Sequence, residues 1–233
     1  KYETVSDDWG MSGDYHEFTF GSRFDPDGNI WTVHCLTGSY TSEALYRGWA
    51  IKVNKDGTAV PAACGVRSPG GIGVNLQGDA FYTDNQGTWN GSSSLKWVKP
   101  GSFLGNPNGN HHFKHTGNVM GERPPEPNYS GDGRVMEARK QIPTYVPPAV
   151  VLPHGKVGQS PTAVEPDSSE GKFGPFAGQM FLAEQTYGQV QRVFLEKVNG
   201  MYQGAAFHFL RGFSSGNIGC LLYTSDAADE VVS

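Results

Sequence analysis

His16 and Arg67 are the side chains whose type and setting suit them best to chemistry. His16 stands in Gly13-Asp-Tyr-His-Glu-Phe-Thr-Phe-Gly21 and Arg67 in Gly65-Val-Arg-Ser-Pro-Gly-Gly71. An imidazole has an ordinary pKa close to working pH, so it can take and return a proton. A guanidinium binds planar oxygen pairs bidentately, which suits a carboxylate-rich ligand. Each has a structural alternative: a buried histidine bonded to backbone, and an arginine that bridges structural units. Asp84-Asn-Gln-Gly87 and His154-Gly-Lys-Val-Gly-Gln-Ser160 follow as further segments near the later repeats. His111-His-Phe-Lys-His115 gathers three histidines, read either as a metal cluster or as a solvated loop without carboxylate support. Asp25, Asp27 and Asp56 sit in turn sequences, where Asp bonds its own backbone. No Gly-x-Gly-x-x-Gly, Walker loop, Gly-x-Ser-x-Gly or Cys-x-x-Cys-His occurs, so nucleotide and serine-hydrolase readings gain no support.

The elements that must position these residues come from a repeat. Gly28-Asn-Ile-Trp-Thr-Val33 recurs as Gly78-Asp-Ala-Phe-Tyr-Thr83 and as Gly178-Gln-Met-Phe-Leu-Ala183. A period near 50 residues marks a protein built from stacked copies of one supersecondary unit. With 32 Gly and 15 Pro among 233 residues and only 18% charged, the chain breaks helices and favours tight turns. The short apolar runs Phe18–Phe24, Asn29–Cys35, Trp49–Val53, Asp79–Thr83, Leu95–Val98, Met180–Ala183 and Val190–Val198 read as strands. Further strands are expected near Thr58–Ala63 and Tyr202–Phe209, after turns at Asn54-Lys-Asp-Gly57 and Asn199-Gly200. Four antiparallel strands per unit at this spacing predict an all-β fold, a β-propeller. About three to four blades fit, against six for a closed ring, so residues 1–219 are expected to form a partial propeller. The stretch 101–153, rich in Pro, Asn, Gly and His, breaks the rhythm as a long insertion with remnants of strands, or as a degenerate blade. Raw blade edges predict aggregation or binding of a hydrophobic dye.

Cys220-Leu-Leu-Tyr-Thr-Ser-Asp-Ala-Ala-Asp-Glu230 looks like a translated sequencing adapter, so residues 220–233 are expected to be a non-native tail. The formal charge of −5 includes Asp226, Asp229 and Glu230, and setting these aside leaves −2. The remaining Lys and Arg form no basic run, which gives no electrostatic case for nucleic acid or an anionic membrane. No stretch of 18 apolar residues is present, so no transmembrane segment is expected. Cys35 and Cys64 read as small buried hydrophobes, with a Cys35–Cys64 disulfide as the alternative.

Tyr15–Trp31, Arg67–Pro107 and Phe173–Phe213 together carry a resemblance to the soluble quinoprotein sugar (glucose/sorbosone) dehydrogenase-like propellers. The chain most resembles bacterial propeller proteins of the membrane-bound dehydrogenase or haem-binding-domain type. The resemblance implies pyrroloquinoline quinone and calcium on the top face. It implies His16 as the base that takes a sugar hydroxyl proton while hydride passes to the quinone, and Arg67 as a cofactor contact in a motif that here has lost two polar partners. It implies Gln86, Gly87 and Thr88 as a cofactor-binding turn, with Gly87 and Thr88 offering backbone carbonyls to calcium, although the family has Pro at the position of Thr88. His154 is placed in the pocket lining. A further cofactor-contacting Lys falls near Thr186, where this chain has none. The implied function is oxidation of a hydroxyl or aldehyde of a small sugar or alcohol. A haem c domain elsewhere in the parent chain and a periplasmic or extracellular location go with it. The competing expectation is a non-catalytic propeller that binds a carbohydrate or a partner protein.

Overall fold

The computed structural model describes residues 1–14, 16–37, 42–127 and 135–213. Tyr15, the fourth repeat expected near Ser215–Gly219 and the adapter-like tail lie outside the described residues. Among the described residues the strands form three sheets, antiparallel but for one short parallel pair. The first is built from β1 (Thr19–Phe24), β2 (Ile30–His34), β3 (Trp49–Val53) and β4 (Ala59–Cys64). The second starts with β5 (Pro69–Val74), β6 (Ala80–Asp84) and β7 (Ser93–Trp97). The chain then leaves it: β8 (Ser102–Phe103) pairs parallel with β4 and adds a fifth strand to the first sheet. A 3-10 helix (Pro107–His115) and the short helix α1 (Val135–Gln141) follow before β9 (Val150–Leu152) returns to pair with β7. The third sheet is β10 (Pro161–Pro166), β11 (Met180–Glu184), β12 (Gln189–Val198) and β13 (Met201–Arg211). Sequential up-and-down strands in sheets whose first strands β1, β5 and β10 lie side by side make three blades of a β-propeller.

The repeated phrase has a local cause. Gly28, Gly78 and Gly178 sit at φ +80°, +86° and +74°, a left-handed conformation that strains a side chain. They follow the turns that lead into β2, β6 and β11, whose aromatics Trp31, Phe81 and Phe181 are buried at 5%, 0% and 9% exposure. In the first copy the Asp25 carboxylate accepts from Asn29 N at 2.8 Å and from Trp31 Nε1 at 3.0 Å, so the turn and the aromatic fix each other. In the second, Asp79 accepts from Trp97 Nε1 at 3.2 Å and from the Tyr202 hydroxyl at 2.6 Å, which ties the second blade to the third.

Blades meet most closely at their first strands, where the fold converges. A Cβ on Gly70 or Gly73 of β5 would strike the carbonyls of Pro161 or Val164 in β10, so backbone packs on backbone there. The main core lies between blades and includes Val33, Ala50, Ile72, Phe81, Leu95 and Val164. Cys35 and Cys64 are both buried free thiols, with Cys35 Sγ against Thr37 and the Arg67 carbonyl and Cys64 Sγ directed to the Ser102 carbonyl. The disulfide alternative is therefore not formed.

Candidate functional site

Strand alternation assigns the connections to two faces. The turns holding Gly28, Lys55, Pro26, Gly78, Leu76 and Gly178 touch one another from blade to blade and make one face. The opposite face collects the segment before β1, with His16, and the β4–β5 connection, with Arg67. It also collects the β6–β7 loop, with Gln86, Gly87 and Thr88, the β9–β10 loop, with His154, and the β11–β12 turn, with Thr186. Hydrogen bonds stitch these segments together: Cys35 N to Phe18 O at 2.9 Å, Leu36 N to Arg67 O at 3.0 Å, Asn85 N to Ser68 O at 2.9 Å and Gln185 N to Ser160 O at 3.0 Å.

Among the sequence candidates, the structure joins Arg67 to the Gln86–Gly87 turn. Arg67 Nη1 donates to the Gln86 carbonyl at 2.8 Å. Gly87 has φ +140°, and a Cβ there would overlap the guanidinium, so only glycine lets Arg67 lie on the turn. His154 meets the other end of the same loop, its backbone N–H donating to Ser92 Oγ at 2.8 Å while the side chain is exposed. His16 is exposed, and its backbone N–H donates to Asp14 Oδ1 at 3.0 Å. Two residues on, the Phe18 carbonyl pairs with Cys35, next to the Leu36 that binds Arg67, so His16 and Arg67 are flanked by one hydrogen-bonded strip. Thr88 is exposed. The Thr186 hydroxyl donates to Ser160 Oγ at 2.9 Å, a neutral contact near the place where the resembled family carries a Lys and this chain has none.

Beneath Arg67 is a buried polar centre. Lys96 Nζ lies 3.0 Å from Asp84 Oδ2 and donates to Leu104 O at 2.9 Å. The Tyr82 hydroxyl donates to Asp84 Oδ2 at 3.1 Å, and Ser68 N, next to Arg67, donates to Asp84 Oδ1 at 2.8 Å. Asp84 and Tyr82 are 0% exposed and Lys96 1%. Burial lowers the Lys96 pKa, with Asp84 opposing and the Arg67 charge adding to it. Burial and the Asp84 charge push the Tyr82 phenol well up. The third blade repeats the device: Glu184, 0% exposed, accepts from Gln159 N at 3.0 Å and Tyr187 N at 2.6 Å, and also from Ser160 N. In the first blade the same place holds His34, also 0% exposed, with Nδ1 3.3 Å from Tyr46 O. Burial and the charge of Arg47 lower its pKa to about 3.

Sequence reasoning did not single out His34, Asp84, Lys96 or Glu184. The signal was present in register. His34, Asp84 and Glu184 each stand six residues after the repeat glycine, one place beyond the phrase that the repeat was read from.

Two of the three carbonyls in the turn already have hydrogen-bond donors. The Gln86 carbonyl is engaged by a guanidinium, and the Gly87 carbonyl accepts from Asn90 N at 2.9 Å and Gly91 N at 3.0 Å. A divalent cation would compete with these donors beside a fixed positive charge. Among the described residues no group of three or more His, Cys, Asp or Glu is placed to hold a metal. The His111 ring nitrogens lie at 2.9 Å and 3.0 Å from the carbonyls of Asn108 and Ser42, and His112 is buried at 1% exposure. Arg67, partly exposed on this face, carries the charge that a carboxylate-rich ligand would need. No helix among the described residues is long and apolar enough to cross a membrane.

No family model and no curated protein matches this chain. Solved structures do match. A Thermus thermophilus protein assigned as an oxidoreductase (glucose dehydrogenase) aligns at TM-score 0.57 and 16% identity over 88% of this chain and 57% of its own. A glucose dehydrogenase aligns at TM-score 0.52 and 16% identity over 83% and 55%. The apo form of the soluble aldose sugar dehydrogenase of Escherichia coli aligns at TM-score 0.51 and 13% identity over 80% and 53%. The chain thus spans a little over half the length of these neighbours. At these identities the likeness is one of fold: the chain is built as blades of a β-propeller, and its structural neighbours are soluble aldose and glucose dehydrogenase propellers.

Proposed function

We propose that this chain is part of a quinoprotein-type dehydrogenase propeller that oxidises a hydroxyl or aldehyde of a small sugar or alcohol. The observation that carries the reading is Arg67 seated on Gly87, on the face that also holds His16 and His154. The sugar dehydrogenase identities of the fold neighbours support it. When bound, pyrroloquinoline quinone supplies the two-electron acceptor for hydride. Arg67 would hold a carboxylate of that group and offset negative charge on its oxygens, because the guanidinium is pinned by Gln86 and loses little freedom on binding. The exposed His16 takes the substrate hydroxyl proton on a ring nitrogen as the carbon–hydrogen bond breaks. His154 lines the substrate side. No step uses calcium at Gln86 or Gly87. A periplasmic or extracellular location and electron delivery to a haem c domain of the parent chain belong to the same proposal.

A second reading, a non-catalytic propeller that binds a carbohydrate or partner protein on this face, is favoured by the neutral Thr186–Ser160 contact. Reconstitution with the quinone, with and without calcium, separates them. Dye reduction across a sugar panel, lost by at least tenfold in His16→Ala and accompanied by weaker quinone binding in Arg67→Ala, supports the dehydrogenase. Carbohydrate binding without quinone binding or turnover supports the alternative.

A further inference from the structure

On the face opposite the candidate site, a cavity of about 500 Å³ lies between the β7–β8 turn, the segment after α1 and the β12–β13 hairpin. Its lining includes Lys99, Ser102, Arg139, Thr144 and Asn199 and contains no acidic residue. A volume of this size matches a small-metabolite site, and the polar lining selects a polar ligand.

Neither Lys99 nor Arg139 makes an ion pair among the described residues. Lys99 Nζ stands 5.5 Å from the Trp97 ring centroid. The neighbouring cations are already matched: Lys197 lies 3.3 Å from Asp79, and Lys140 lies 3.2 Å from Glu137, the acid nearest Arg139 in sequence. A second observation is independent of charge. Ser102 is 3% exposed, and its Oγ has no hydrogen-bond partner. A buried hydroxyl left unsatisfied costs about 1–3 kcal/mol, and such groups are normally paired. Ser102 lines the cavity, and a turn of its χ1 toward that space would let an oxygen-rich ligand supply the missing partner. The Asn199 amide, held at the hairpin tip by a φ of +49°, adds a further donor and acceptor at the rim.

We propose that this cavity binds a small polyhydroxylated organic anion bearing a carboxylate or a phosphate. Lys99 and Arg139 engage the anionic head, and Ser102 and Asn199 bond to the hydroxyls. The site is separate from the Arg67 face, so its occupancy does not depend on the dehydrogenase reading.

Calorimetric titration of the 233-residue chain with gluconate, glucose 6-phosphate and neutral glucose tests this. Gluconate or glucose 6-phosphate should bind, weaken with added sodium chloride and weaken at least tenfold in Lys99→Gln/Arg139→Gln, and glucose should not bind here. Which of the two anions binds more tightly identifies the head group. Both substituted residues are exposed, so the β-sheet circular dichroism should be unchanged. Arg139→Glu alone gives a second variant with the same expected loss. The proposal is overturned if neither anion binds, if the variants bind the anions like the parent chain, or if glucose binds as tightly as they do.

Discussion

The guanidinium of Arg67 rests on Gly87 and donates to the Gln86 carbonyl at 2.8 Å, so a glycine in one loop sets the place of a cation from another. Two segments 20 residues apart in sequence thereby act as one structural unit on the candidate face. Ser68 extends the unit downward, because its N–H caps Asp84 and Asp84 holds Lys96. The position of Arg67 is thus decided by the turn above and the ion pair below.

Gly87→Ala should displace the guanidinium and strain the backbone at φ +140°. The expected cost is about 1–3 kcal/mol of stability. In an Arg67→Ala background the overlap is gone and only the backbone strain remains. The same Gly87→Ala change should then cost measurably less. A double-mutant cycle by urea denaturation reads the difference, and strict additivity would refute the contact.

Lys96→Met should remove about 3–5 kcal/mol, because it leaves the Asp84 charge buried at 0% exposure without its ion-pair partner. Adding Asp84→Asn should recover part of that loss. The amide oxygen still accepts from Ser68 while the uncompensated charge is gone. Urea midpoints of the single and double variants check this. A double variant less stable than Lys96→Met would show that the carboxylate serves Tyr82 and Ser68 more than Lys96.

The strands were legible because their causes are local. The turn glycine, the aromatic three residues later and the hairpin Asn-Gly are short-range signals, and Trp49–Val53 was expected and found with the same ends. The fourth strand of the second blade was not legible. β9 begins at Val150, after a 3-10 helix, α1 and the detour of β8 into the neighbouring sheet, and only tertiary pairing with β7 defines it. Arg67 and the Gln86–Gly87 turn were legible as candidates, but not their mutual contact, which depends on a side chain crossing between loops. The buried ionisable places at His34, Asp84 and Glu184 escaped because charged residues in strand-like runs read as exposed positions.

Stability should fall on acidification before the carboxylates titrate. Burial is the main cause that lowers the pKa of both His34 and His112 to about 3, with nearby positive charge adding to it. The unfolded chain protonates these histidines near pH 6.5, so between about pH 6.5 and 3 it binds protons the native state refuses. Stability therefore rises with pH across that window and is lost as pH falls. The slope is at most about 1.4 kcal/mol per pH unit for each histidine. Asp25 acts in a lower range. Burial raises its carboxyl, but hydrogen bonds from Asn29 and Trp31 and the Lys52 charge outweigh this, so its pKa is lowered and its contribution is lost only below about pH 4. Urea midpoints from pH 7 to 4.5 isolate the histidines, and His112→Phe should flatten the slope. An unchanged slope would mean that His112 is protonated in the folded protein.

The third blade should bind a hydrophobic dye through one face. Val193, Leu195, Met201, Tyr202 and Ala206 pack into the core shared with the second blade. The opposite face carries Phe181 and Phe209, with ring centroids 5.0 Å apart, and Arg192, whose guanidinium stands 5.2 Å and 5.3 Å from Phe176 and Phe207. On that blade Phe194, Phe207 and Leu210 are 50%, 48% and 47% exposed. An aromatic face of this kind is what a propeller blade turns toward a neighbour, and solvent-exposed it is a site for dye and self-association. Anilinonaphthalene sulfonate should fluoresce with the folded chain, and Phe194→Glu with Phe207→Glu should remove most of the signal. Because these residues are half exposed, the melting temperature should move by no more than a few degrees. A monomer that melts in one sharp step and leaves the dye dark would contradict the exposed face.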